Sequence, residues 1–281
     1  MPAVVIDGAK IAREMKEALK RDIADVKAAR GRVPQLAVLQ IKKHASSDIY
    51  IKALMNLAEE IGLKMRAVGV KPSQSDVERE IAALNADKTV SGIMVQTPVP
   101  EGIELKKLFA AISPDKDAEG LNPSNAGGLI YGTGKVVPCT PAACMALIDS
   151  VTGDLRGKEV VIVGHSEIVG RPLSLMMLSR MATTTVCHIG TYEKGRLEEH
   201  VRRAEILVVS VGKPFLIKGD WIREGAVVID VGINKYKGRI TGDVDFEAAK
   251  KKASYITPVP GGVGPLTALM LMRNLAALCK R

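Results

Sequence analysis

The sequence predicts an α/β protein of two parts. Two successive series of strands and helices, of the kind that build parallel sheets, are followed by a C-terminal helix. Three observations carry this. Helix-spaced apolar patterns alternate with short continuous apolar runs along the chain. Those runs are rich in Val, Ile and Leu, as strands buried on both faces of a parallel sheet require. A Gly-, Pro-, Asn- and Asp-rich stretch, residues 113 to 138, divides the alternation into two series.

Ile11, Met15, Leu19, Ile23 and Val26 recur at three- and four-residue spacing, which predicts an amphipathic helix over 8–29 that stops before Gly31 and Pro34. QLAVLQI (35–41) reads as a buried strand. A helix over 47–61, the strand KMRAVGV, a helix over 75–85 with a Ser75/Glu78 capping box, and the strand within SGIMVQTPV follow. Residues 113 to 138 read as a loop or domain boundary. CTPAACMALIDS then starts a helix with Thr140 as cap and Pro141 at its first position. The second series runs through strand KEVVIVG, helix 170–181, strand TTTVCHI, helix 197–204, and strands EILVVSVG and AVVIDVGI. PGGVGPLTALMLMRNLAALCK is a glycine-rich turn entering a helix apolar on most sides, so that helix is expected to be buried.

Composition narrows the function classes. At 281 residues, 47% hydrophobic and 25% charged, the chain can bury a full core without metal or disulfides, and 3% aromatics leaves that core to aliphatic residues. Cys139, Cys144, Cys187 and Cys279 form no CxxC and read as reduced thiols of a cytoplasmic protein. No secretory leader or membrane-length apolar run is visible. The charge of +9 is scattered and not interleaved with aromatics, which argues against nucleic acid and for a field that attracts small anions. His44, His188 and His200 have no ligand-spaced partners, so no metal site is expected.

The chemistry-bearing motifs sit at strand ends. KEVVIVGHSEIVGRPLSLMM is strand, turn and helix, with Gly164 and Gly170 in a G-x5-G spacing rather than GxGxxG. Glycines there let backbone amides meet a pyrophosphate at a helix N-terminus, although a merely tight turn explains the spacing almost as well. VQTPVP, DKDAEGLNPSNAGG and TPVPGGVGPLT are Pro/Gly-rich turns at strand ends or junctions, where open α/β sheets bind ligands. Taken singly, each reads as a rigid turn.

Together YIKAL, VQTPVP, DKDAEGLNP, PCTP, VIVGHSEIVGRP, VIDVGIN, GDVDF and PGGVGPLT resemble the bifunctional methylenetetrahydrofolate dehydrogenase/methenyltetrahydrofolate cyclohydrolase family over essentially the whole chain. The resemblance implies an N-terminal parallel-sheet folate-binding domain, 1–138, on which the C-terminal helix packs back to complete it, 260–281, a Rossmann-type dinucleotide-binding domain, 139–259, a homodimer, and oxidation of 5,10-methylenetetrahydrofolate with NAD(P)+, followed in most members by hydrolysis to 10-formyltetrahydrofolate. It implies that Tyr50 stacks near the pterin and Gln96 sits beside the one-carbon unit. Val95, Thr97, Pro260, Gly261, Gly262, Val263 and Gly264 would line the folate. Gly164, His165 and Ser166 would hold cofactor phosphates, with Ile189 near the adenosine ribose and Ile233 near the nicotinamide.

Three positions depart from the family pattern. Leu54 stands where a lysine four residues after the tyrosine would serve water activation. Lys52, about 200° around the helix from Tyr50, points elsewhere. Glu119 stands for the pterin-binding aspartate, one methylene longer, and would still hold pterin nitrogens. His165 replaces an arginine and Ile189 a serine or threonine at the NADP 2'-phosphate, which favours NAD over NADP unless Arg171 or Arg196 compensates. The expectation is therefore a dehydrogenase with cyclohydrolase activity lost or weak, in which Tyr50, Gln96 and Glu119 act at the reacting centre and Leu54 lines the substrate. The alternatives are a fully bifunctional enzyme that uses another lysine, such as Lys52 or Lys42, and a silent folate- or nucleotide-binding protein.

Overall fold

The computed structural model describes residues 2–42 and 45–280; His44 lies outside the described residues. The chain opens with the two-residue strand β1 (Val4–Val5) and the long helix α1 (Gly8–Arg30). A βα series follows as β2 (Gln35–Gln40), α2 (Ala45–Glu60), β3 (Lys64–Gly69), α3 (Gln74–Ala86), β4 (Gly92–Val95), α4 (Leu105–Ala111) and α5 (Pro123–Tyr131). The second series contains α6 (Cys139–Asp149), β5 (Glu159–Val163), α7 (Gly170–Ser179), β6 (Thr183–Cys187), α8 (Ile189–Glu193), α9 (Leu197–Arg203), β7 (Ile206–Val209) and β8 (Val227–Asp230). Hairpin strands β9 (Asn234–Tyr236) and β10 (Arg239–Thr241), then α10 (Phe246–Ala249), β11 (Tyr255–Ile256) and α11 (Val263–Cys279) complete the chain.

Two compact units form. One is Glu14–Cys139 with Ala268–Arg281, and the other is Met1–Arg13 with Thr140–Thr267. These bounds differ from the expected 1–138 with 260–281 and 139–259 at both junctions. Val4 and Val5 pair with Tyr255 and Ile256, so the N-terminal strand is an edge of the second unit's sheet. Gly8 approaches Gly262 so closely that an added Cβ would overlap the Gly262 carbonyl, which ties the start of α1 to the 260–264 turn within that same unit.

The first unit holds a three-stranded parallel sheet in the order β3-β2-β4. Alternate residues of a strand face opposite sides. Ala37, Leu39, Ile93 and Val95 pack with Val77, Ile81, Leu84 and Leu108 of α3 and α4 on one face. On the other, Gly92 leaves room for Leu275 of α11 beside Leu36, where an added Cβ would press on both. Lys280, just past α11, pairs with Asp22 of α1 at 3.0 Å. The expected stripe of α1 is buried at Leu19, Ile23 and Val26.

The second unit holds a six-stranded parallel sheet in the order β1-β11-β8-β7-β5-β6. Val161, Val163, Val209 and Val228 face Leu197 and Val201 of α9. β5 is flanked by β6 on one side and β7 on the other, so successive connections leave it in opposite directions. The carboxyl end of such a strand is the switch point at which open α/β sheets bind ligands. β2, flanked by β3 and β4, has the same property in the first unit.

Several local expectations are corrected. The cap of α3 is Ser73, whose hydroxyl accepts from the Asp76 amide at 3.2 Å, not Ser75. α6 begins at Cys139, which places Thr140 inside its first turn. The stretch 113–138 contains α5: Asn122 caps it by accepting from the Ser124 amide at 2.8 Å, Pro123 opens it, and Gly132 closes it at φ +67°. The β9–β10 hairpin turns through Lys237 and Gly238, both at positive φ, a geometry that matches strand twist.

Candidate functional site

At the carboxyl end of β4 the chain runs Val95-Gln96-Thr97. The Val95 amide donates to Glu119 Oε2 at 3.0 Å, which fixes one carboxylate oxygen of Glu119 against the strand end. Glu119 is positioned because Asp117, two residues earlier, is buried and accepts from the Asn122 amide at 2.8 Å and from Asn125 Nδ2 at 2.9 Å. Gly120 then turns at φ +72°, where an added Cβ would overlap the Val137 backbone. Burial pushes the Glu119 carboxyl up to about 8; the Val95 hydrogen bond opposes this and the Asp117 charge adds to it. Glu119 is therefore largely uncharged at neutral pH and carries a proton it can donate.

Tyr50, half-buried on α2, is held above the ordinary phenol range by desolvation first and by its acidic neighbours Glu119 and Cys139 second. Its hydroxyl is a hydrogen-bonding group, not a base. Cys139 lies 3.7 Å from the Ala118 carbonyl and 3.9 Å from that of Glu119, and burial among acids keeps it a thiol. Asn274 of α11 holds this corner, with Nδ2 donating to the Ala118 carbonyl at 3.0 Å and the Val137 carbonyl at 2.8 Å, 3.6 Å from Cys139 Sγ. Gln96 is buried at 8% exposure, and its Nε2 donates to the Thr97 carbonyl at 2.6 Å. Its Oε1 is buried with no hydrogen-bond partner among the described residues. Thr97 is exposed.

The structure thus brings Tyr50, Val95 and Glu119 to one corner, with Gln96 next in the chain. Leu54 lies one helical turn beyond Tyr50 and is 1% exposed, while Lys42 and Lys52 are exposed. Sequence reasoning missed Cys139 as part of this corner, and Asn274 and Asp117 as its supports. The signal for Asn274 was there: it is the one amide side chain in a helix that is otherwise apolar but for Thr267 and Arg273.

In the six-stranded unit, Gly164 ends β5 at φ +128°, and an added Cβ there would overlap the Ser210 carbonyl. Gly170 opens α7 against the Gly164 carbonyl, where a Cβ would also overlap. Ser166 Oγ accepts from the Val169 amide at 3.1 Å. His165 and Ser166 are exposed on this turn. The glycine-built turn at the switch point, entering a ten-residue helix, suits a dinucleotide pyrophosphate. The His165 and His188 rings stand 5.2 Å apart, and His188 caps α8 by accepting from the Gly190 amide at 3.2 Å. Ile189 and Ile233 are 64% and 70% exposed. Pro260, Gly261, Gly262, Val263 and Gly264 belong to this unit, with Gly261 at φ +104°.

Two buried aspartates brace the same unit. Asp243 accepts from the amides of Val211, Gly212 and Lys213 at 2.7, 3.0 and 2.8 Å, and from Asn234 Nδ2 at 2.8 Å. Asp230 accepts from the amides of Gly232, Asp243 and Val244. Desolvation raises Asp230 to about 6, opposed by these amides and reinforced by the Asp243 charge. Among the described residues there is no group of three His, Cys, Asp or Glu placed to hold a metal, and no helix is long and apolar enough to cross a membrane.

Residues 6–119 match the family described as "Tetrahydrofolate dehydrogenase/cyclohydrolase, catalytic domain", and residues 138–281 its "NAD(P)-binding domain". The chain is 43% identical over 284 residues to the "Bifunctional protein FolD" of Moorella thermoacetica, covering 100% of both. It is similar to the crystal structure of the bifunctional enzyme FolD from Campylobacter jejuni, with TM-score 0.93, 39% identity and 99% of each chain covered. A Trypanosoma brucei methylenetetrahydrofolate dehydrogenase-cyclohydrolase, complexed with NADP cofactor and inhibitor, matches with TM-score 0.93 and 36% identity over 100% of this chain and 98% of that one.

Proposed function

Because this chain belongs to the tetrahydrofolate dehydrogenase/cyclohydrolase family and is a methylenetetrahydrofolate dehydrogenase that binds NAD(P), we propose a division of its two activities. It oxidises 5,10-methylenetetrahydrofolate to the 5,10-methenyl form, and its hydrolysis of that product is weak or absent. The observation that carries the second half is Leu54, buried at 1% exposure one turn from Tyr50. Hydrolysis of the methenyl group needs a base for water and a carrier for its proton. The groups acting electrostatically on Tyr50 are acids, Glu119 and Cys139. An alkyl side chain where an amine would serve leaves that step without its proton carrier.

Dehydrogenation makes smaller demands on side chains. The dinucleotide, when bound, supplies the hydride acceptor, and the protein's task is orientation. Glu119, pinned by Val95 through Oε2, offers Oε1 and a proton to pterin nitrogens. Gln96 Oε1, unpartnered among the described residues, accepts from the ligand beside the one-carbon unit. Tyr50 gives an aromatic face for stacking.

For the cofactor, the exposed alkyl side chain of Ile189 and the imidazole of His165 give a 2'-phosphate fewer bidentate hydrogen bonds than a guanidinium would, which supports NAD over NADP. A homodimer is part of the same reading, from the resemblance alone.

The second reading, full dual activity, is supported by the relatives, whose names carry both functions. One experiment separates the two. Purified protein is given methylenetetrahydrofolate with NAD+ or NADP+, and separately methenyltetrahydrofolate alone, with methenyl absorbance followed in each. The proposal expects absorbance to grow in the first and to decay no faster than in buffer in the second, with Leu54→Lys speeding that decay. An enzyme-dependent decay in the unaltered protein overturns it in favour of dual activity.

A further inference from the structure

The three-stranded unit has a second cavity at the opposite end of its strands from Val95 and Gln96. It has a volume of about 580 Å³ and opens where Val90 and Ser91 lead into β4. Four residues of β4 separate the two ends, roughly 13 Å at ~3.3 Å per residue, so this cavity is distinct from the Glu119 corner. Its walls carry Arg30, Arg32, Lys88 and Lys116, with Asp115 as the acidic member and Val90 and Leu278 as the apolar part.

Basic residues at helix C-termini are ordinary, and α1 and α3 both end here, at Arg30 and Ala86. Lys116 Nζ donates to the carbonyls of Leu84 and Asp87 at 2.9 and 2.7 Å, and Arg32 donates to that of Lys88. Two helix ends supply only about one negative charge between them. Asp115 adds another, and the nearby Asp87 is matched by Arg66 at 2.8 Å. Among the described residues, about two of the four positive charges stay uncompensated. The Lys116 ammonium is held below the ordinary lysine range by burial first; the Asp87 charge opposes this and the Arg32 charge adds to it. Ser91, 7% exposed, uses its oxygen to accept from the Gln35 amide at 3.3 Å, which leaves its O–H as a donor at the cavity wall.

We propose that this cavity binds a compact multivalent anion, an oligophosphate or a polycarboxylate, through Arg30, Arg32, Lys88 and Lys116. The volume is that of a small-molecule site. Such a ligand supplies the missing negative charge, and monovalent salt weakens its binding by screening.

Isothermal titration of the full chain, saturated with NADP+ so that the dinucleotide turn is filled, tests this with two probes, sodium tripolyphosphate and citrate. At low ionic strength the expected result is one-to-one binding of at least one probe, and the probe that binds more tightly identifies the source. Arg30→Gln combined with Lys88→Gln is expected to weaken that binding about tenfold or more, while dehydrogenase turnover is unchanged. Circular dichroism checks the fold, and Arg30→Gln alone replaces the double variant should that one fail to fold. Binding of neither probe, or binding undiminished by the substitutions, overturns the proposal.

Discussion

The two strand-end regions solve the ligand problem by different means. In the three-stranded unit the corner at β4 is made of side chains whose chemistry depends on burial: a carboxyl raised to about 8, a phenol and a thiol pushed up with it, and an amide oxygen without a partner among the described residues. In the six-stranded unit the turn after β5 is made of backbone, with Gly164 and Gly170 clearing space and exposed His165, Ile189 and Ile233 around it. A buried polar corner is sensitive to protonation and to single polar substitutions. A backbone turn is sensitive to added atoms.

The largest effect should come from adding one methyl group to the backbone turn. Gly164→Ala forces a Cβ into the Ser210 carbonyl at a φ that L residues avoid. Dinucleotide binding, followed by nicotinamide fluorescence, should fall by about 100-fold or more, or the unit should lose several kcal/mol of stability.

At the buried corner the sharper probe is pH. Glu119 has a folded pKa raised above its ordinary 4.5 to about 8. Its contribution to stability is full below the unfolded value and is lost as pH rises through about 8, because the unfolded chain releases the proton first. Denaturant unfolding between pH 4.5 and 8 should show a decline of order a few kcal/mol that Glu119→Gln flattens. A slope unchanged in Glu119→Gln would show that this carboxyl is not the titrating group.

Asp230 offers a milder test in the six-stranded unit. Raised from 3.8 to about 6, it should add a decline between those pH values. Asp230→Asn places an amide donor among the Gly232, Asp243 and Val244 amides, and should cost about 1–3 kcal/mol in chemical denaturation at pH 7. The smallest effect is on the exposed rim. His165→Arg should shift the NADP-to-NAD affinity ratio by about tenfold toward NADP without altering stability, and an unchanged ratio would remove His165 from cofactor discrimination.

Legibility in the sequence followed the same contrast. The turn at Gly164 could be read because its geometry is local: strand, glycine and helix are contiguous. Tyr50, Gln96 and Glu119 were named from motifs, whereas the support that gives Glu119 its chemistry was not, because Cys139 and Asn274 are distant along the chain and the burial of neighbouring Asp117 and the pairing of the Val95 amide are set by the fold. α5 was passed over although Asn122, Pro123 and Gly132 are its cap, its opening and its stop, since Gly127 and Gly128 in between read as loop. β1 and β11 are two residues each and have no periodicity to detect.

Hydrophobic spacing and turn residues by themselves determined the two parallel series and their glycine turns, because those patterns depend only on neighbours within a few turns or strand positions. Only the tertiary structure decided that Met1–Arg13 joins the six-stranded unit, that Glu119 is held against the end of β4 and largely uncharged, and that four cations share one cavity. Backbone pairing, desolvation and uncompensated charge are properties of what surrounds a group, and the chain brings those surroundings from distant positions, as between Asn274 and Ala118, 156 residues apart.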